Sequence, residues 1–282
     1  MFPDAESFSQ DSEFPRLLAR RMPIDLTSVA LEIARDAQPN LSFQRTLDWI
    51  EHRGEEIERR LQWSQTERMQ LHELARCLAG THGLHGTREA FEFPECSYLN
   101  CVIATGRGIP ISLSAIYMAV ADRAGVLLSG VSAPMHFLCR YDGESGPLFL
   151  DAFHNGRLMT LGRCLDWLRE VTNLPDDELE HSLLPASPHD VVSRMLNNLK
   201  TLYVRREQWL LAWKVQLRLS AMHPEMYGSR RDLGLLSLKA QRPGLALRIL
   251  EHCLNDAACP AEERITLERH ITLATTLLAT WN

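Results

Sequence analysis

The segments Gly108-Ile109-Pro110-Ile111-Ser112-Leu113-Ser114, Ala133-Pro134-Met135-His136-Phe137-Leu138 and Leu148-Phe149-Leu150-Asp151 decide how this chain folds. The first reads as the start of a helix, the second as a strand carrying a histidine, and the third as a strand ending in an aspartate. In that order they make the frame of a Cys-His-Asp acyl-transfer site. A thiolate at a helix N-terminus attacks, an imidazole shuttles the proton, and a carboxylate orients the imidazole. Where the frame needs a thiol the chain has Pro110, with hydroxyls at Ser112 and Ser114; the flanking cysteines are Cys101 upstream and Cys139 downstream. The frame of an enzyme is legible and its nucleophile is missing.

Working outward, Pro110 suits the first turn of a helix, where its missing donor costs nothing. Leu113, Ile116, Tyr117, Val120 and Ala121 then mark a buried stripe that stops at Gly125. Residues 126–131, 137–141 and 148–151 read as short strands, the last two joined by the turn Asp142-Gly143-Glu144-Ser145-Gly146-Pro147. A helix laid on an antiparallel sheet is an α+β plan, with its core over residues 89–175.

With Ser97-Tyr98-Leu99-Asn100, Asp151-Ala152-Phe153, Asn155-Gly156-Arg157, Leu184-Pro185-Ala186-Ser187-Pro188 and Met195-Leu196-Asn197-Asn198-Leu199-Lys200, these segments resemble a bacterial family. It comprises transglutaminase-like proteins with C-terminal tetratricopeptide-type helices, the SirB-type regulators. The resemblance covers roughly residues 26–255, with several motifs in order. It implies a papain-like transglutaminase core and a protein-binding, regulatory role. Members with an intact site look like Gly-x-Cys-Leu-Ser-Leu, which superposes on Gly108 to Leu113 and puts the lost thiol at Pro110. Met135 stands where the family usually has Gly, and the expectation is that it crowds the imidazole.

Composition sets the outer limits. With 282 residues and 45% hydrophobic content, the chain has material for one substantial core and a smaller helical module. The net charge of -6 argues against a general nucleic-acid surface. The seven cysteines lack C-x-x-C spacing and are odd in number, which suits reduced thiols in a cytosol. No stretch approaches 18 apolar residues and no cationic start precedes an apolar run, so a soluble cytoplasmic protein that spans no membrane is expected.

The first 25 residues mix Pro, Ser and acidic residues without a sustained period and read as a loosely ordered lead-in. Helices are expected from Asp25-Leu26-Thr27 to Pro39, then over 43–61 and 65–78, before the Gly-rich segment His82-Gly83-Leu84-His85-Gly86. From Pro185 a helical array begins. An offset of 34 residues relates Leu199 to Leu233, Leu202 to Leu236 and Ala212 to Ala246, the tetratricopeptide period. Arg230 occupies a large-apolar position of that repeat and Gln216 an aromatic one. Two repeats and a closing helix over 262–281 are expected, so the domains are 1–182, helical preface plus core, and 183–282, the array.

Several residues carry competing readings. His136 and Asp151 are either a working pair or a structural His on a strand-end carboxylate. Ser112 is either a substitute nucleophile or a first-turn residue satisfying a backbone donor. Cys96 and Cys101 flank the Ser97–Asn100 motif and are candidates for a displaced thiol. The main reading is a remnant site (Pro110, His136, Asp151) in a non-catalytic protein. The alternative is a hydrolase or acyl-transferase using Ser112 or a displaced Cys with His136 and Asp151. His72, Cys77, His82 and His85 match no standard zinc spacing, so no metal and no other cofactor is expected. Glu51, Glu55, Glu56 and Glu58, interleaved with Arg53, Arg59 and Arg60, read as an ion-paired helix face. Trp209 and Trp213 read as a packing face. Aligning the repeats puts Arg194, Asn197, Thr201, Arg205, Arg231 and Lys239 on the groove side, a cationic set that points to a protein or acidic-peptide partner.

Overall fold

The computed structural model describes residues 8–64 and 66–281. The chain divides into two compact units, Pro23–Met195 on one hand and Met1–Met22 with Leu196–Asn282 on the other. The division falls inside one helix, Pro188–Arg205, and the N-terminal segment joins the C-terminal unit.

That N-terminal segment is not a loose lead-in over its described part; residues 1–7 lie outside the described residues. Helix α1 (Glu13–Leu18) buries Phe14 and Leu17. The Arg218 guanidinium, itself buried, donates to Asp11 at 2.6 Å and lies over the rings of Phe8 and Phe14 at 5.0 and 4.7 Å. Three apolar residues and one carboxylate are too few to show a period in sequence, yet they seat the segment. The charge is buried with both a partner and aromatic faces around it.

The Pro23–Met195 unit is α+β. Its helices are α2 (Leu26–Arg35), capped by Asp25 accepting from the Thr27 N–H, α3 (Gln44–Leu61) and α4 (Glu67–Ala75), capped by Thr66. The expected start of the third helix at Gln65 lies outside the described residues. A π-helical turn, Arg76–Thr81, leads to β1 (His85–Gly86), which pairs in parallel with β2 (Arg107–Gly108) after α5 (Leu99–Thr105). Helix α6 (Pro110–Arg123) is buried on almost every side, with Leu113, Ile116, Tyr117, Val120 and Ala121 inaccessible to solvent. It therefore reads as a core helix rather than an amphipathic one.

One side of α6 meets α2, α3 and α5; the other meets an antiparallel sheet ordered β3 (Ser129–Val131), β4 (Leu138–Gly143), β5 (Gly146–Asp151) and β6 (Arg157–Thr160). Gly143 pairs with Gly146 across a two-residue turn, tighter than the six-residue turn expected. Strand β6 and the helices after it, α7 (Leu161–Val171) and α8 (Asp176–Ser182), escape the sequence reading because their apolar runs are short. The two helices cover the far face of the sheet, where Val131, Leu138, Phe149 and Met159 pack with Cys164, Leu165, Leu168, Leu179 and Leu183.

The other unit is helical. After α9 (Pro188–Arg205) come α10 (Trp209–Met222), α11 (Tyr227–Lys239), α12 (Pro243–Leu254) and α13 (Ala261–Trp281), each of the last four meeting its chain neighbour. All six residues related by the 34-residue offset are buried. Both departures from the repeat pattern are absorbed by hydrogen bonds: Gln216 Nε2 donates to the Ser229 carbonyl at 2.9 Å, and Arg230 donates to the Pro224 carbonyl and pairs with Asp256. Trp213 packs in this core with its indole N–H on Ser237 Oγ at 3.0 Å, while the Trp209 ring lies under the Lys239 ammonium.

Candidate functional site

The start of α6 is built around Pro110. Ile109 is extended, Pro110 takes the first helical position, and its side chain is buried. Gly108 is required just before: a Cβ there would stand 2.8 Å from Leu113 Cγ and 3.0 Å from Ser112 Oγ. Ser112 Oγ accepts the Ile109 N–H at 3.1 Å and lies 2.6 Å from the Cys96 carbonyl, to which it donates. With 1% exposure and its proton on a backbone oxygen, this hydroxyl satisfies the helix entry. It makes no hydrogen bond to His136.

His136 does not sit within a strand, as expected, but in the turn before β4, its N–H on the Ala133 carbonyl. Its Nε2 is 2.9 Å from Asp151 Oδ1. The rings of Trp167 and Phe153 meet the imidazole edge-on at 5.3 and 5.9 Å. Asp151 ends β5 with its side chain 0% exposed. Its Oδ1 also accepts the His154 N–H at 3.2 Å, which closes the short turn Ala152–His154, and its Oδ2 meets His154 Nδ1 at 2.7 Å. Arg157 Nη2 stands 3.8 Å away. Burial pushes the Asp151 carboxyl up, but hydrogen bonds and charge from His136 and His154 outweigh it and hold the group below its usual value. Asp151 is thus an anion accepting from both imidazoles.

Met135 does not crowd this imidazole. Its side chain is 83% exposed, and its φ of 61° lies in the left-handed region. The departure from Gly is thus a backbone strain rather than a clash.

No cysteine hydrogen-bonds His136 among the described residues. Burial pushes the thiols of Cys96 and Cys101 up, that of Cys77 up to about 11, and those of Cys139 and Cys164 up to about 12. A nucleophilic cysteine needs the opposite shift. Cys101 Sγ instead lies beside the amides of Gln38 and Asn100, two residues that line a cleft of about 690 Å³ together with Arg45, Trp49 and Ile103. Of the Ser97–Asn100 motif, Asn100 lines that cleft.

Of the histidine-rich run, Cys77 and His82 come together with Glu56, whereas His85 Nδ1 bonds the Gly83 carbonyl. Of the cationic set, Arg194 lies in the Pro23–Met195 unit, where Nη1 donates to Ser132 Oγ and the Ala133 carbonyl, both at 2.8 Å. Arg231 carries Asp232 at 2.9 Å and Glu263 at 2.5 Å. Asn197, Thr201, Arg205 and Lys239 are exposed in the helical unit. The cluster is therefore smaller and less cationic than its sequence alignment implied, because its acidic partners come from α11 itself and from α13.

Residues 44–197 match the family described as the transglutaminase-like superfamily, and residues 199–271 match the tetratricopeptide repeat. A UPF0162 protein of Xylella fastidiosa strain Temecula1 is 32% identical over 238 residues, covering 82% of this chain and 83% of its own. The chain belongs to the transglutaminase-like superfamily. Protein SirB1 of Salmonella typhimurium is 25% identical, covering 74% of this chain and 79% of its own. A UPF0162 protein of Vibrio cholerae is 28% identical over 62% of this chain and 67% of its own. No solved structure matches. In this transglutaminase-like protein His136 and Asp151 are paired, and α6 begins with proline at its first position. His154 was missed in the sequence; the signal was Asp151-x-x-His154 ahead of Asn155-Gly156, an aspartate capping its own turn.

Proposed function

We propose that this chain is a non-catalytic, protein-binding regulatory module in which a transglutaminase-like unit without a nucleophile is joined to tetratricopeptide helices that hold the partner. One observation carries the reading. The first turn of α6 offers a proline ring and a serine hydroxyl committed to the Cys96 carbonyl, so the attacking atom is absent while the His136–Asp151 pair is intact. The raised thiols around it supply no substitute. All seven cysteines are unpaired, which supports a reducing cytoplasmic setting, and no described helix is long and apolar enough to cross a membrane.

For the partner we infer an acidic or C-terminal-carboxylate peptide, held through Arg205 and Lys239 with the Asn197 amide and Thr201 hydroxyl beside them. Arg231 is engaged by two carboxylates, Asp232 and Glu263. Titration of acidic peptides at low and physiological salt tests this. Binding is expected to weaken with salt and with Arg205→Glu or Lys239→Glu. Binding indifferent to both substitutions refutes the assignment of the surface.

A further inference from the structure

Asp151 presents each carboxylate oxygen to a different imidazole: Oδ1 to His136 Nε2 at 2.9 Å and Oδ2 to His154 Nδ1 at 2.7 Å. The three ligating atoms all lie within 4.8 Å of one another. We propose that His136, Asp151 and His154 bind one divalent transition-metal ion of the zinc class. This inference does not rest on the partner-binding reading.

The donor set suits such an ion: two imidazole nitrogens and a carboxylate oxygen are the ligands of open zinc sites and of other first-row ions with free coordination positions. Metal–ligand bonds of about 2.0–2.2 Å hold ligand atoms roughly 3.0–3.5 Å apart. The observed N···O separations need to widen by only a fraction of an ångström. The ligands are also held from behind. The Asp151 carboxylate is fixed by the His154 N–H, and the His136 ring is wedged by Trp167 and Phe153. His154 is half-exposed, which gives the ion a route in and leaves a side for water.

Protons balance without a further partner. Each imidazole now donates an N–H to the carboxylate. In a neutral ring that proton moves to the opposite nitrogen when the metal takes its place, and an imidazolium releases one proton to solvent.

The charge environment distinguishes this cluster from the other one in the fold. Glu56, Cys77 and His82 also converge, but Arg53 and Arg60 already neutralise Glu56, and the Cys77 thiol is pushed up to about 11. At Asp151 the guanidinium within ion-pair range is that of Arg157, at 3.8 Å on a half-exposed side chain.

Calorimetric titration of the full-length, chelator-treated protein with ZnCl2 tests the proposal, with Co2+ as spectroscopic reporter. The expected result is one ion per chain, weakened at least tenfold by His154→Ala and by His136→Gln and unchanged by Cys77→Ser. His154 is half-exposed, so its substitution leaves the fold in place and the comparison interpretable. The Co2+ spectrum is expected to show nitrogen and oxygen ligation without a thiolate charge-transfer band. Absence of saturable binding, binding indifferent to His154→Ala, or binding lost in Cys77→Ser overturns it.

Discussion

His136 Nε2 and Asp151 Oδ1 are 2.9 Å apart, in a protein whose site helix begins with Pro110. A working imidazole-carboxylate pair needs that contact, and so does a buried carboxylate with nowhere else to place its charge. In this chain the second requirement alone is sufficient to maintain it, because Asp151 is inaccessible and an unpaired buried anion is costly.

The pair is therefore expected to contribute stability whether or not the protein turns over a substrate. His136→Ala strands one acceptor site of Asp151 and should lower stability by about 1–3 kcal/mol. Asp151→Ala should cost more, since it also releases His154 and its backbone N–H. Denaturant unfolding measures both; wild-type midpoints for the two variants would refute the pairing.

The same carboxylate sets an acid limit. Its pKa is depressed in the folded state, so its contribution is present above the unfolded value of about 3.9 and is lost as pH falls through the lower folded value. Melting temperature below about pH 4 should fall more steeply for wild type than for Asp151→Asn. Parallel curves would contradict the depressed pKa.

Ser112→Ala separates the two readings of that hydroxyl. Loss of the bonds to the Ile109 N–H and the Cys96 carbonyl should cost about 1 kcal/mol and leave acyl-transfer assays at background, as in wild type. A hydrolytic activity present in wild type and abolished by the substitution would restore the enzyme reading.

Met135→Gly is expected to stabilise. The left-handed backbone at φ 61° costs a non-glycine residue about 1–2 kcal/mol, only part of which is offset by the entropy glycine adds to the unfolded chain. A net gain of up to about 1 kcal/mol in unfolding free energy is predicted, with no gain for Met135→Ala.

The legible part of this fold was the part with strong local punctuation. Pro110 with the apolar stripe behind it gave α6, and the 34-residue offset gave the repeat register, because packing requires those residues to recur. The N-terminal segment differs from its sequence reading because Phe8, Phe14 and Asp11 meet a residue far along the chain, Arg218, and long-range pairing leaves no local trace. The groove cations were overcounted for the same reason: nothing near Arg231 in sequence shows that Glu263 will reach it. At the site, the lack of a cysteine at the start of α6 was readable, but the arrival of His154 beside Asp151 depended on a turn of only three residues.

The central claim is that a transglutaminase frame survives here without its nucleophile. Its most direct test is labelling by an electrophilic thiol trap, followed by peptide mapping, in wild type, Pro110→Cys, and each combined with His136→Ala. The account predicts no His136-dependent labelling in wild type, and stoichiometric labelling at position 110 in Pro110→Cys that falls when His136 is removed. A native cysteine labelled stoichiometrically in wild type, and protected by His136→Ala, would contradict it.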